Sequence, residues 1–418
     1  MPRASSGLST RRAYHNLAET FLRRPLLLTA LVMPSFDYLA DRLAELSSQH
    51  RLRTLATRQP AGVTFVDAAN RQLINFGSND YLGLATSGSP IASLPRESGS
   101  TARALVCGWA PLHQQLADTI ADLESTESAV LFPSGFAACS GTVATLAEAG
   151  DLILSDALNH ASLIDGCRLS RAKCVVYPHR DYEFVASVLK QRRHEFTRVW
   201  IVTDGVFSMD GNVAPLVELC DIADRFDASL IVDEAHGTGV LGKTGSGVCE
   251  ALAVKDRIVI RIGTLSKAIG CQGGFVVGPK VVTDYLVNRC RSFIFSTALA
   301  PSTVAASIAA FESLKSEPER RHRVQSLAKH VRERLSISTS CAIENSVPIV
   351  PLIIGEDAKA VAACQTLSDA GFFVPAIRPP TVPPGTARLR LSLSASHTDA
   401  MVESLLSAIQ KSGIQNVG

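Results

Sequence analysis

Apolar runs of three to five residues recur along the middle of the chain: Ala129 to Phe132, Leu152 to Leu154, Cys174 to Tyr177, Val199 to Val202, Leu230 to Val232 and Ile258 to Ile262. Polar or helix-patterned stretches separate them. In one such stretch Leu216, Leu219, Ala223 and Phe226 share a face while Glu218, Asp221 and Arg225 point away. Strands that are apolar throughout, alternating with helices, predict a mostly parallel sheet covered on both sides. Upstream, Ser35 reads as an N-cap for a helix carrying Phe36, Leu39, Leu43 and Leu46. A hairpin-like stretch, Val63 to Phe76, follows it. Beyond about Pro301 comes a charged helical region, Lys315 to Leu335, then a strand-helix-strand set at Val347 to Ile354, Ala358 to Leu367 and Leu389 to Leu393. These patterns divide the chain into a leader or disordered tail (1–32), an N-terminal segment (33–85), a large domain (86–300) and a small α+β C-terminal domain (301–418).

Composition changes this picture little. The 418 residues are 46% hydrophobic, with 41 basic and 39 acidic side chains, a formal net charge of +2. That balance points to neither nucleic acid nor a membrane surface. The ten cysteines form no C-x-x-C pair and no metal-ligand spacing, as expected of reduced core residues in a reducing compartment. No stretch is long and apolar enough to predict a transmembrane helix. Residues 1–36 carry five arginines against one acid, Glu19. An organelle presequence has that bias, but a disordered tail, or a start upstream of Met33, is the reading adopted.

One motif matches and is rejected. Gly237-Thr-Gly-Val-Leu-Gly-Lys-Thr244 fits the phosphate-binding P-loop pattern, and Asp233-Glu-Ala-His236 before it spells a helicase-like box. A P-loop needs a strand directly before its first glycine and a helix directly after its threonine. Here polar residues intervene on one side and Gly245-Ser-Gly247 follows on the other, a poor start for a helix.

The chemistry-bearing residues instead fall one after another at the carboxyl ends of the predicted strands, where α/β proteins bind ligands. Lys267 lies in an otherwise uncharged segment, Gly263-Thr-Leu-Ser-Lys-Ala-Ile-Gly270. Asp233 ends a strand, and a buried carboxylate there needs a cationic partner. His236 follows it closely. Gly135 and Phe136 begin a helix-prone run whose free N–H groups suit a phosphate. His160 offers a flat ring and Ser208 a hydroxyl. Each alone has an ordinary structural explanation; their common placement does not.

These residues resemble the α-oxoamine synthases, a family of fold-type I pyridoxal-phosphate enzymes, over about residues 36 to 412. The resemblance rests on Ser78-Asn-Asp-Tyr-Leu-Gly-Leu84, Phe132-Pro-Ser-Gly-Phe-Ala-Ala138, Asn159-His-Ala-Ser-Leu163, Asp204-Gly-Val-Phe-Ser-Met-Asp-Gly211, Val232-Asp-Glu-Ala-His-Gly-Thr-Gly239 and Thr264-Leu-Ser-Lys267. It implies a large mixed, mostly parallel sheet domain with helices on both faces plus the small C-terminal domain. It implies pyridoxal 5'-phosphate held as a Schiff base on Lys267, Asp233 facing the pyridine nitrogen, and His160 stacked on the ring. Ser208 and His236 would contact the phenolic side, and Gly135, Phe136 and Thr264 the phosphate. It also implies a cytoplasmic homodimer with interfacial sites, Ser296 or Thr297 reaching the neighbour's phosphate. The segment Ala376 to Leu393, with Arg378-Pro-Pro-Thr-Val-Pro383, and Gly108-Trp-Ala-Pro-Leu-His113 resemble the branch that condenses L-alanine with a pimeloyl thioester. By that likeness Arg390 clamps the amino-acid carboxylate, and Arg53 and Thr381 touch substrate. Branches using glycine with acetyl-, succinyl- or palmitoyl-CoA are the alternative, since Leu-Ser between Thr264 and Lys267 is closer to them.

Overall fold

The computed structural model describes residues 36–86 and 99–418, so the leader, its arginines and the expected Ser35 cap lie outside the described residues. The chain divides into two units at Leu52/Arg53. In the first, Asp37–Ser48 is a helix, and Leu39, Leu43 and Leu46 lie along it as the spacing predicts. None of its residues is buried.

The second unit is built on a seven-stranded sheet. Its strands in chain order are β1 (Ser128–Phe132), β2 (Leu152–Asp156), β3 (Lys173–Tyr177), β4 (Val199–Asp204), β5 (Ser229–Asp233), β6 (Ile260–Thr264) and β7 (Gly274–Gly278). They are arranged β1-β7-β6-β5-β4-β2-β3. All pairings are parallel except those of β7, which runs antiparallel to both β1 and β6. Successive side chains feed opposite cores: Leu154, Ile201 and Val232 pack in one, Ile153, Val202 and Ile231 in the other. Two-sided burial is why these strands read as unbroken apolar runs. β7 was not expected, although Gly274-Phe-Val-Val-Gly278 has the same character. The predicted strand at Ile258 begins two residues later, because the Ile258 carbonyl accepts from the Arg261 guanidinium (2.6 Å) rather than joining the ladder.

A three-stranded antiparallel sheet, ordered Ile349–Gly355, Ala387–Ser392 and Ala376–Ile377, forms the small C-terminal part. The charged region expected at Lys315 to Leu335 is the helix Pro318–Arg334, which Pro318 separates from the preceding helix Pro301–Ser316. The predicted hairpin is a three-strand meander (Arg58–Ala61, Thr64–Asp67, Gln72–Asn75) whose last strand pairs in parallel with Phe372–Phe373. Residues 58–75 therefore complete the C-terminal part instead of standing alone.

The glycine-rich stretch 237–247 is closed by its own hydrogen bonds. The Glu250 carboxylate accepts the N–H groups of Thr244 and Ser246, and Glu234 accepts those of Val248 and Cys249. Within the loop the N–H groups of Gly237, Thr238, Gly239, Val240 and Leu241 donate to backbone carbonyls, so the donors that give such loops their anion affinity are already engaged.

Beneath the sheet Arg261 forms a buried ion pair with Glu124 (3.0 Å) while also donating to the carbonyls of Glu124 and Ile258. Arg261→Met would leave the Glu124 carboxylate buried without its cation and should destabilise the fold by about 3–5 kcal/mol. Urea unfolding checks this, and Glu124→Gln combined with Arg261→Met should recover part of the loss.

Candidate active site

Five strand ends converge on one cleft. β1 runs into α1 (Gly135–Leu146), capped by Ser134, whose Oγ accepts the Ala137 N–H (3.1 Å). The start of α1 presses against β7: a Cβ on Gly274 would lie 2.5 Å from the Ser134 carbonyl oxygen, so only glycine fits. This close approach brings the free amides of Gly135 and Phe136 beside Thr264 at the end of β6. The Thr264 hydroxyl is already engaged. It donates to the Gly273 carbonyl (2.9 Å) and lies 2.7 Å from the Ser266 hydroxyl. Ser266 is exposed and is the freer hydroxyl of the two.

His160 follows β2 and caps α2 (Ala161–Leu169) with its own ring: Nδ1 accepts the Ser162 N–H (3.3 Å) and pairs with the Ser162 hydroxyl (2.7 Å). Its backbone N–H donates to Asp204 at the end of β4 (3.1 Å). The ring is therefore fixed from two sides, with Phe136 edge-on to it at 6.3 Å.

Asp233 is 7% exposed at the end of β5. Its Oδ1 accepts the Ala235 N–H (2.8 Å) and its Oδ2 the Cys139 thiol (3.1 Å). Among the described residues no basic side chain reaches it to form an ion pair. Lys267 lies close enough to feel Asp233, Asp204 and Arg390, yet its amine makes no hydrogen bond to a described residue. Burial of the ammonium lowers its pKa to about 8, against the opposing pull of Asp233 and Asp204. Burial, reinforced by Asp233, raises Asp204 well above the carboxylate range.

On the opposite wall the Ala387–Ser392 strand presents Arg390, 5% exposed. Nε donates to the Ser208 carbonyl (2.6 Å), Nη1 to Ser392 Oγ (2.7 Å) and Asn79 Oδ1 (3.1 Å), and Nη2 to the Tyr81 hydroxyl (3.3 Å). Four of its five N–H groups are thus engaged. Tyr81 also pairs with His236 Nδ1 at 2.7 Å, and burial holds that imidazole well below its usual pKa, hence neutral. Arg53 donates to Thr381 Oγ1 (3.3 Å), so those two expected residues meet. Thr297 bridges Arg103. Asn79, Tyr81, Cys139 and Ser266 were not singled out from the sequence. Asn79, Tyr81 and Ser266 stand inside quoted motifs, but only folding brings the first two to Arg390 across more than 300 residues.

The donor set fits pyridoxal phosphate. A lysine with a readily neutralised amine, a buried carboxylate lacking a cation and a helix start with free amides correspond to an aldehyde, a protonated ring nitrogen and a phosphate.

The family model for class I and II aminotransferases matches residues 71–409. The chain is 42% identical over 380 residues to the 8-amino-7-oxononanoate synthase of Anaeromyxobacter dehalogenans, covering 90% of this chain and 95% of that protein. Among solved structures, a serine palmitoyltransferase from S. paucimobilis with bound PLP and myriocin superposes with a TM-score of 0.84 at 29% identity, covering 90% of this chain and 97% of that one. The 8-amino-7-oxononanoate synthase of Francisella tularensis gives 0.68 at 27% identity, over 82% and 98%.

A neutral amine is the form that attacks an aldehyde. Reductive trapping of pyridoxal phosphate by cofactor-free protein should accelerate as pH rises through about 8 and level off above it. Peptide mapping should find the label on Lys267; a midpoint in the ordinary lysine range, above 10, contradicts the depressed amine.

Proposed function

The chain belongs to the class I and II aminotransferase family, and within its cleft we propose that Lys267 carries pyridoxal phosphate and also moves the substrate's α-proton. It is a pyridoxal-phosphate acyltransferase that condenses L-alanine with a pimeloyl thioester, releasing the thiol and carbon dioxide and giving 8-amino-7-oxononanoate, a step of biotin synthesis. The observation that carries the chemistry is the Lys267 amine, hydrogen-bonded to no described residue, near a buried Asp233 that has no cation among the described residues. Serine palmitoyltransferase superposes better, but backbone overlap reports the fold. Substrate choice rests on side chains, where the Anaeromyxobacter oxononanoate synthase reaches 42% identity against 29% for the palmitoyltransferase, although the Francisella synthase stands at 27%.

When bound, pyridoxal phosphate supplies the sink for the electron pair left on Cα by proton loss and again by decarboxylation. The chain does the rest. Gly135 and Phe136 offer N–H groups to the phosphate, with Thr264 and the neighbouring Ser266. His160, its ring pinned by Ser162, covers one face. Asp233 holds a proton on the ring nitrogen, and neutral His236, anchored by Tyr81, donates with Ser208 toward the phenolic oxygen. Lys267, once its amine is free, takes the α-proton and later returns one. Arg390 grips the alanine carboxylate by giving up its two longest contacts, to Asn79 and Tyr81, while the 2.6 Å bond to Ser208 keeps it aimed. Arg53 and Thr381 line the acyl side.

The same reading includes a homodimer. Leu105, Val106 and Phe295 are 52%, 63% and 60% exposed, and the Arg103–Thr297 bridge brings their two segments together beside Ser296. A second copy covering this patch would place Ser296 or Thr297 at the neighbour's phosphate. Ten free thiols suit the reducing cytoplasm.

The specificity constant for alanine with pimeloyl-CoA should exceed that for glycine with acetyl-, succinyl- or palmitoyl-CoA; a winning glycine pair removes the substrate assignment but not the cofactor's. Arg390→Lys keeps a charge and loses the planar fork, so it should raise the KM for alanine at least tenfold, about the worth of one charged hydrogen bond, with cofactor affinity little changed. Lys267→Ala should abolish turnover.

Val106→Asp with Phe295→Asp should shift the sedimentation coefficient from dimer to monomer. A wild type that sediments as a monomer refutes the interface.

A further inference from the structure

Asp233 Oδ1 is held by its own loop, through the Ala235 N–H, whereas Oδ2 is held from a different element, the Cys139 thiol on α1 at 3.1 Å. Cys139 is 2% exposed and stands one turn into the helix whose first amides face the phosphate position. A carboxylate pinned at one oxygen only can swing about its Cβ–Cγ bond; pinned at both, it cannot. A cation in place of the thiol would fix it equally well but would neutralise the charge that a ring-nitrogen proton needs. A thiol is an uncharged, weak donor, so it fixes without competing. Burial, then the charge of Asp233, raises the Cys139 thiol well above its usual range, so it stays protonated and remains a donor.

We infer that Cys139 is a positioning residue for the pyridine end of the cofactor: its S–H bond orients Asp233 and favours the charged carboxylate over the neutral acid. The inference rests on the reading of Asp233 given above. A proton between ring nitrogen and carboxylate has two homes, and the thiol's bond is stronger in the arrangement with the proton on nitrogen, the one that makes the ring a strong electron sink. Because α1 also starts at the phosphate amides, one rigid helix sets the register of both ends of the ring.

The test compares Cys139→Ala, which removes the donor, with Cys139→Ser, which keeps one. In cofactor-free protein, the infrared S–H band lost on going from wild type to Cys139→Ser should lie at the position of a thiol bonded to carboxylate, and should move in Asp233→Asn. In the loaded enzyme, Cys139→Ala should slow α-deuterium exchange of alanine about tenfold, the usual worth of a hydrogen bond to a charged group, and raise the cofactor's dissociation constant. Cys139→Ser should restore most of both. Wild-type behaviour of Cys139→Ala, or a Ser variant as impaired as Ala, overturns the inference while Asp233→Asn still impairs exchange. An Asp233→Asn variant that exchanges normally overturns the reading of Asp233 itself, and the inference with it.

Discussion

A carboxylate kept out of water without a cation is the constraint around which this cleft is arranged. Burying an ionised acid is costly unless its charge is met, and an isolated one simply takes up a proton. Burial pushes Asp204, 3% exposed, in that direction, and the neighbouring Asp233 adds to it. Asp233 is treated differently. Two donors, an amide and a thiol, meet its oxygens without cancelling its charge. The remaining attraction is directed outward, toward Lys267 and whatever cation enters the cleft. Lys267 in turn loses its proton easily because burial outweighs the two nearby acids. A pair that would normally close into an ion pair is held open, and an open pair is what a charged ring can occupy.

Holding it open is the work of the sheet. Parallel strands place successive carboxyl ends along one rim, so residues some 30 to 70 positions apart in sequence become neighbours at the same level. β7 breaks the pattern usefully. By running antiparallel between β1 and β6 it inserts Gly274 against the first turn of α1, and the missing Cβ lets the helix start come down to the rim. The small C-terminal part then supplies the opposite wall through Arg390, which is anchored to both parts at once, to Ser208 on one side and Asn79 on the other.

The elements that could be read in advance were those whose cause is local. Two-sided strands advertise themselves by unbroken apolar runs, and the Leu216–Phe226 helix by its single apolar face. What failed was pairing at a distance. Nothing near Gln72–Asn75 signals that Phe372–Phe373 completes its sheet, and nothing near Gly274–Gly278 signals antiparallel insertion. The site divides the same way. Residues at strand ends were identifiable one by one, but Tyr81 serves as the link between His236 and Arg390, 155 and 309 residues away, and that role exists only once three elements meet. Cys139 escaped because cysteine in an apolar helix has an ordinary explanation as core packing, and its partner is 94 residues downstream.

The loop that imitates a P-loop shows why pattern alone misleads. Glycines gather wherever backbone N–H groups must converge on an anion, because side chains would block the approach. The pattern alone therefore does not report a bound phosphate. In a nucleotide site the anion arrives from solution. Here the loop's N–H groups are met by its own carbonyls and by the Glu250 carboxylate, and Glu234 fastens the chain just beyond it. The fastening matters for the cleft, since Glu234 lies between Asp233 and His236 in sequence. By tying the chain to Val248 and Cys249 directly after β5, it fixes the short turn from which His236 reaches Tyr81. A motif that imitates phosphate binding thus serves the cleft at second hand, by holding still the turn from which His236 reaches Tyr81.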